Sequence, residues 1–164
     1  MTTPGQGCQW SFRAATAADA GWIAELRAEV MYPDLARLGR FDPIRVRERL
    51  LAAFDPAATQ VIEVGGEPIG CIALRNEDDA RWVEHFYLAT ARQGRGIGAA
   101  VLSRLLGAAA DKRPFKLNVL QGSPARRLYE RCGFAVESED PVDVFMTRPG
   151  LLRDAAPFCA AVEP

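Results

Sequence analysis

Three glycines on alternate positions, Gly94, Gly96 and Gly98, stand where a strand-like run gives way to a helix-like one. Val83-Glu84-His85-Phe86-Tyr87-Leu88 lies before them and the strongly helical stretch 100–110 follows. Glycines at a helix start leave backbone N–H groups uncovered by side chains. Those donors, with the positive end of the helix dipole, form a site for phosphate-type anions. A chain built around this junction is expected to grip a pyrophosphate-bearing cofactor there.

The remaining elements follow from local chemistry. Residues 9–14 read as a first strand. Thr16 offers a helix cap, and 17–31 carries Ile23, Leu26 and Val30 at helical spacing, with Pro33 interrupting or ending that helix. A second helix is expected over 43–54, capped by Asp42 with Pro43 in its first turn. Gly65-Gly66 between 59–64 and 69–74 is a hairpin signal, since both residues tolerate positive φ. Residues 81–88 complete that meander. After the glycine loop come a helix over about 96–111, a strand over 115–120, a helix over 124–132 stopped by Gly133, and closing strands at 134–136 and 142–147. This order fits one α+β domain spanning 1–164, with a core of about 10–148 and a tail, 149–164, that has no clear place.

Composition narrows the function classes. A net charge of −1 over 164 residues argues against a broad nucleic-acid footprint. No apolar run reaches the ~18 residues that span a bilayer, and the first residues read without a secretory leader. A cytoplasmic, metal-free protein is the expectation. Cys8, Cys71, Cys132 and Cys159 are scattered and the chain has a single histidine, so reduced thiols are expected, with neither a zinc site nor a disulfide framework.

Gly94, Gly96 and Ala99 match G-x-G-x-x-A, yet a dinucleotide fold needs a βαβ unit and an acid about 20 residues on. Here the preceding strand ends an antiparallel meander, and only Asp111 comes near the required place. The P-loop pattern fails because no Gly-Lys-Ser/Thr follows. Gln93-Gly94-Arg95-Gly96-Ile97-Gly98 instead resembles the Q/R-x-x-G-x-G/A segment of the GCN5-related N-acetyltransferase (GNAT) superfamily. Ala125-Arg126-Arg127-Leu128-Tyr129-Glu130-Arg131-Cys132-Gly133-Phe134 resembles its A-x-x-L-Y-E-x-x-G-F, and the Arg13…Thr16…Asp19 opening is also typical. The resemblance covers roughly residues 10–148.

That resemblance implies an α+β fold with a mixed, mostly antiparallel splayed β-sheet flanked by helices on both faces. Acetyl-coenzyme A would lie in the wedge between the strands at 81–88 and 115–120. Backbone groups of Phe86, Tyr87 and Leu88 would pair with the pantetheine arm. Gln93, Gly94, Arg95, Gly96, Ile97, Gly98 and Ala99 would hold the pyrophosphate, with a Cβ at 94, 96 or 98 obstructing its approach. The implied activity is acetyl transfer to a primary amine of a small-molecule acceptor by direct attack in a ternary complex. A non-catalytic coenzyme-binding module is the alternative. Homodimers are common in such folds.

Acetyl transfer poses two proton problems. An ammonium with a pKa near ~10.4 must lose its proton at a cost of about 4–5 kcal/mol at neutral pH, whereas a thiol near ~8.5 leaves with modest acid help. Tyr129 matches the family tyrosine that protonates the sulfur. Glu84, mid-strand beside the wedge, leads as base. His85 points to the opposite face of a regular strand unless a bulge exchanges the two. Asn118, where some relatives carry a glutamate, cannot take a proton. The acceptor pocket is expected from residues 31–42, including Tyr32, Asp34, Leu35, Leu38, Phe41 and Asp42. Arginines at 37, 40, 45, 47 and 49 cluster nearby, which raises an acidic acceptor such as an amino acid.

Overall fold

A computed structural model describes residues 9–109 and 111–150. Seven strands form one sheet in the order β1-β2-β3-β4-β5-β7-β6, and every neighbouring pair is antiparallel except β4–β5. The strands are β1 Trp10–Ala14, β2 Thr59–Val64, β3 Glu67–Asn76, β4 Arg81–Leu88, β5 Phe115–Leu120, β6 Ala135–Glu139 and β7 Asp143–Arg148. The helices are α1 Ala20–Arg37, α2 Pro43–Ala53, α3 Ile97–Ala108 and α4 Ala125–Arg131.

Several elements form for the reasons legible in the sequence. Asp42 caps α2, its carboxylate accepting from the Ile44 and Arg45 N–H groups at 3.0 Å each. The Gly65-Gly66 turn has φ of 60° and 79°, the hairpin geometry expected of that pair. The Arg13…Asp19 opening is an ion pair: Asp19 is buried, meets both Nη atoms of Arg13 at 3.0 Å, and also accepts from the Thr16 N–H and the Trp22 indole. Those donors hold its carboxyl well below the usual range, the Arg13 hydrogen bond being the largest cause.

Two expectations need correction. Pro33 does not end α1, which continues to Arg37; Leu38 N–H still reaches the Asp34 carbonyl, so the helix forgoes only the bond proline cannot donate. Cys71 is a buried free thiol, but Cys132, also buried, is disulfide-bonded, and a lone bridge leaves no spacing signature in a sequence. The tail from 151 onward, Cys8 and Cys159 lie outside the described residues. No helix among the described residues is long and apolar enough to cross a membrane.

The helices cover both faces. Val101, Leu102 and Leu106 of α3 and Tyr129 of α4 pack on Ile62, Ile72, Leu117 and Met146 on one face. Ile23 and Ala24 of α1 and Leu50 of α2 pack on Cys71 and Tyr87 on the other. Cys71 and Ile72 are chain neighbours that enter different cores, as alternate side chains of a strand must. Each fully buried Leu or Ile contributes about 1.5–3 kcal/mol.

The feature that matters for function is where the sheet fails to close. β4 and β5 pair only at Arg81↔Phe115 and Trp82↔Lys116. From Val83 to Leu88 the β5-facing edge of β4 has no strand partner, while β5 stays paired to β7 along its whole length. The sheet splays here into a wedge.

Candidate active site

The edge of β4 carries a bulge. Cys71 lies opposite Tyr87 and Ala73 opposite Glu84, so His85 and Phe86 share one position of β3. His85 adopts φ 48°, the only positive φ among described non-glycine residues, and its carbonyl accepts from the Cys71 thiol at 3.1 Å. The extra residue shifts the alternation. Glu84 and Tyr87 come to the face covered by α1 and α2, and the His85 ring joins them, its Nδ1 lying 3.2 Å from the Tyr87 hydroxyl. Phe86 turns to the α3 side.

Tyr87 also takes a hydrogen bond from Arg27 Nη1 at 2.5 Å, while Arg27 Nε donates to the Val46 carbonyl at 3.0 Å. The guanidinium, the phenol and the imidazole are thus held in line. Burial, then the Arg27 charge, lower the His85 pKa below its ordinary 6.5, with the Glu84 charge opposing them. Burial pushes the Tyr87 phenol up to about 12. Glu84 is committed elsewhere: both its oxygens lie 2.9–3.2 Å from Arg75.

At the C-terminal end of β4 the chain makes a short 3₁₀ turn, Thr90–Arg92, and enters the glycine loop. Gln93 sends its side chain back to the Leu88 carbonyl at 2.9 Å, pinning the loop to the strand. Its N–H donates to Thr90, and the next N–H with a protein partner is that of Ala100, which reaches Gly96. The six N–H groups from Gly94 to Ala99 donate to no other described residue. Gly96, at φ 79°, is the residue before α3, so the last three of these amides stand at the helix start.

The glycines differ in what requires them. A Cβ at Gly94 or Gly96 meets no protein atom within 4 Å, but both sit at φ above 70°. A Cβ at Gly98 would lie 3.3 Å from Leu128 Cδ2 and 3.5 Å from Leu88 Cδ1, so Gly98 serves the packing of α3 against α4 and β4. The sequence reading gave all three one reason.

A cleft of about 1220 Å³ runs through the wedge. Gln93, Gly94, Gly96, Gly98 and Ala99 of the glycine loop, His85 and Phe86–Leu88, Tyr129, and a far wall from α1 and α2 line it; Arg95 and Ile97 do not, and Ile97 is buried in the core. Tyr129 is 8% exposed, packs edge-on to Phe134, and its hydroxyl bonds to no described residue. Burial raises its pKa far above the usual phenol, with Tyr87 adding to the effect. The far wall includes Arg27, Met31, Asp34, Leu35, Asp42, Arg45 and Arg49. Tyr32 and Phe41 are not in it: their rings meet edge to face with centroids 4.8 Å apart and line a separate pocket of about 380 Å³. Arg37, at the end of α1, donates to Asp34 and to the Gln121 carbonyl just after β5, at 2.7 Å each.

Most of the sequence-named residues therefore gather on one cleft. Asn118 faces it too, donating to Asp143 at 2.9 Å. Ser123 Oγ accepts from the Ala125 N–H at 3.3 Å, at the start of α4. Arg27 was missed, because nothing in a helical arginine announces that it will meet a tyrosine sixty residues away. No group of three metal-ligating side chains occurs among the described residues.

Residues 55–136 match the sequence profile of the acetyltransferase (GNAT) domain. No curated protein matches the chain in sequence. Among solved structures it is similar to the PaiA N-acetyltransferase of Thermoplasma acidophilum in complex with coenzyme A: 17% identity, TM-score 0.69, covering 86% of this chain and 99% of that one. It is also similar to an acetyltransferase of Thermus thermophilus (19%, TM-score 0.67, 87% and 98% covered). A spermidine N-acetyltransferase chimera derived in part from Vibrio cholerae resembles it at 21% identity and TM-score 0.65, with 86% and 95% covered.

Proposed function

The chain belongs to the GNAT family of acetyltransferases, and from that premise we propose that it transfers an acetyl group from acetyl-coenzyme A to a primary amine of a small molecule. One observation carries the reading. Gly94, Gly96, Gly98 and Ala99, whose N–H groups have no partner among the described residues, line the same cleft, beside the start of α3, as a lowered-pKa imidazole and a protonated phenol.

The fit to the coenzyme is chemical. Diphosphate oxygens are acceptors only, and the amides of 94–99 are donors without acceptors. The pantetheine arm carries amides, and the unpaired edge at Phe86, Tyr87 and Leu88 offers it the place of a missing strand. Gln93 contributes by bracing the loop, since its side chain is already taken.

In this mechanism His85 accepts the proton from the ammonium. The tautomer that works has the proton on Nδ1, donated to the Tyr87 oxygen, which leaves Nε2 bare. With its pKa lowered, the ring is uncharged at neutral pH and ready to accept. The freed amine attacks the thioester carbonyl carbon, and a backbone N–H around Phe86–Leu88 donates to the oxyanion. Collapse breaks the C–S bond, Tyr129 passes its proton to the departing sulfur, and the attacking nitrogen sheds its second proton to solvent; Tyr129 then regains a proton from solvent and His85 releases one to it. Glu84, named first as the base, is instead given an electrostatic part, because a carboxylate clamped by Arg75 must give up that pairing to accept a proton.

Thermal unfolding with acetyl-coenzyme A, coenzyme A or NAD tests the cofactor. Saturation at 100 times the dissociation constant stabilises by about 2.7 kcal/mol. Release of free thiol over a panel of amines then tests turnover. Stabilisation by coenzyme with no release from any amine would make the chain a binding module. Stabilisation by NAD alone would remove the coenzyme reading.

A further inference from the structure

The charges that line the cleft are unequally committed. Asp34 pairs with Arg37, Glu84 with Arg75, and Asn118 donates to Asp143. Asp42 caps α2, and Asp140 accepts from the Val142 and Asp143 N–H groups. Every carboxylate on the cleft therefore has a partner within the protein. Two guanidiniums of the α1–α2 wall do not. Arg45 and Arg49 share a face of α2 one turn apart, line the cleft, and form no ion pair or side-chain hydrogen bond with any described residue, although Arg45 lies within the field of Asp42. Like charges at this spacing repel, and an anion between them relieves the repulsion.

Arg27 is the more specific group. It is half-buried, and bonds to the Val46 carbonyl and the Tyr87 hydroxyl fix its plane. Nη2 is left over: it has no described partner and is not among the sealed, unsatisfied donors of the interior. Tyr87 joins this arginine to His85, so a fixed, unsatisfied donor stands beside the group that takes the amine proton.

Resting on the acetyltransferase reading, we propose that the acceptor is a small amine bearing a carboxylate, of the amino-acid type. Arg27 receives the carboxylate through its free nitrogen while the amine faces His85. Arg45 and Arg49 supply the positive wall along which the anion enters. A polycation such as a polyamine is disfavoured, because the cleft offers it repelling guanidiniums and no uncommitted carboxylate.

The test compares matched pairs in the thiol-release assay: L-leucine with isopentylamine, L-phenylalanine with phenethylamine and L-lysine with 1,5-diaminopentane, with spermidine as a further arm. Rates are expressed per unprotonated amine. The acid of at least one pair is expected to exceed its decarboxylated partner in kcat/KM by about 10-fold or more, mainly through KM, as a charge-assisted hydrogen bond requires. The double variant Arg45→Glu, Arg49→Glu, whose sites are exposed and unpaired, is expected to narrow that preference or invert it. Coenzyme affinity measured by calorimetry reports whether its other site is intact. Decarboxylated amines that react as well as the acids, or spermidine reacting best, would overturn this inference and leave the acetyltransferase reading standing. Coenzyme binding without thiol release from any arm would overturn both.

Discussion

Gly96 offers the sharpest test of the phosphate site. Its φ is 79° and a Cβ built on it meets no protein atom within 4 Å. Gly96→Ala therefore introduces backbone strain alone, about 1–2 kcal/mol for an alanine in the left-handed region, and asparagine costs less because it tolerates that region. If the free loop keeps its shape, this strain is common to free and bound protein and leaves coenzyme affinity unchanged. If the free loop relaxes, strain weakens binding by at most about 5- to 30-fold, the equivalent of those 1–2 kcal/mol. Larger losses require the Cβ to stand where the diphosphate sits. Urea unfolding gives the strain and calorimetric titration with coenzyme A gives the affinity, for Ala and Asn variants side by side. We expect Gly96→Asn to recover most of the stability lost by Gly96→Ala, yet to bind coenzyme far more weakly than the parent. Parental affinity in the Asn variant would mean that Gly96 serves the turn only, and the close approach of phosphate to these amides would have to be abandoned. Gly98→Ala is the internal contrast: its Cβ would crowd only the Leu128 Cδ2 methyl, at 3.3 Å, in a helical position that favours alanine, so stability is expected to change by less than about 1 kcal/mol.

Three further outcomes are expected. Tyr129→Phe removes a hydroxyl that bonds to no described residue, so stability should change by less than about 1 kcal/mol while turnover falls about 10²-fold; an unchanged kcat would take Tyr129 out of the acid role. The acid limb of kcat/KM should lie below pH 6.5, because burial and Arg27 lower the His85 pKa, and Glu84→Gln should move it lower still by deleting the charge that opposes them. A limb that vanishes in Glu84→Gln would instead make Glu84 the base. Asp19→Asn should destabilise the fold by about 2 kcal/mol at pH 7, the scale of hydrogen bonds to a buried carboxylate. The folded carboxyl has a pKa depressed below the unfolded value, so its contribution is present above about pH 4 and is lost as pH falls through the folded pKa. The gap between variant and parent in urea unfolding should therefore close in acid.

Where an element depended on its own residues, the sequence was readable. Asp42 and Pro43 start α2, the Gly65-Gly66 pair turns a hairpin, and the alternate glycines open a helix with bare amides. What could not be read depended on residues far apart in the chain. The bulge has no local signal, because histidine is an ordinary strand residue and its φ of 48° is held by β3 and Tyr87 rather than by its own preference. That one residue brings the His85 ring to the face that Glu84 and Tyr87 share. The Arg75–Glu84 clamp is likewise set by strand register and invisible before it. Pro33 misled because a lone missing N–H is tolerated where the rest of α1 is anchored by Ile23, Ala24 and Ala28.

Between Val83 and Leu88 the protein stops short of finishing its own sheet. A ligand that seats there acts as scaffolding as well as reagent, so the occupied chain resists local opening and proteolysis better than the empty one. Abundance of this protein in a cell would then follow the supply of the molecule that fills the gap, quite apart from any reaction it carries out.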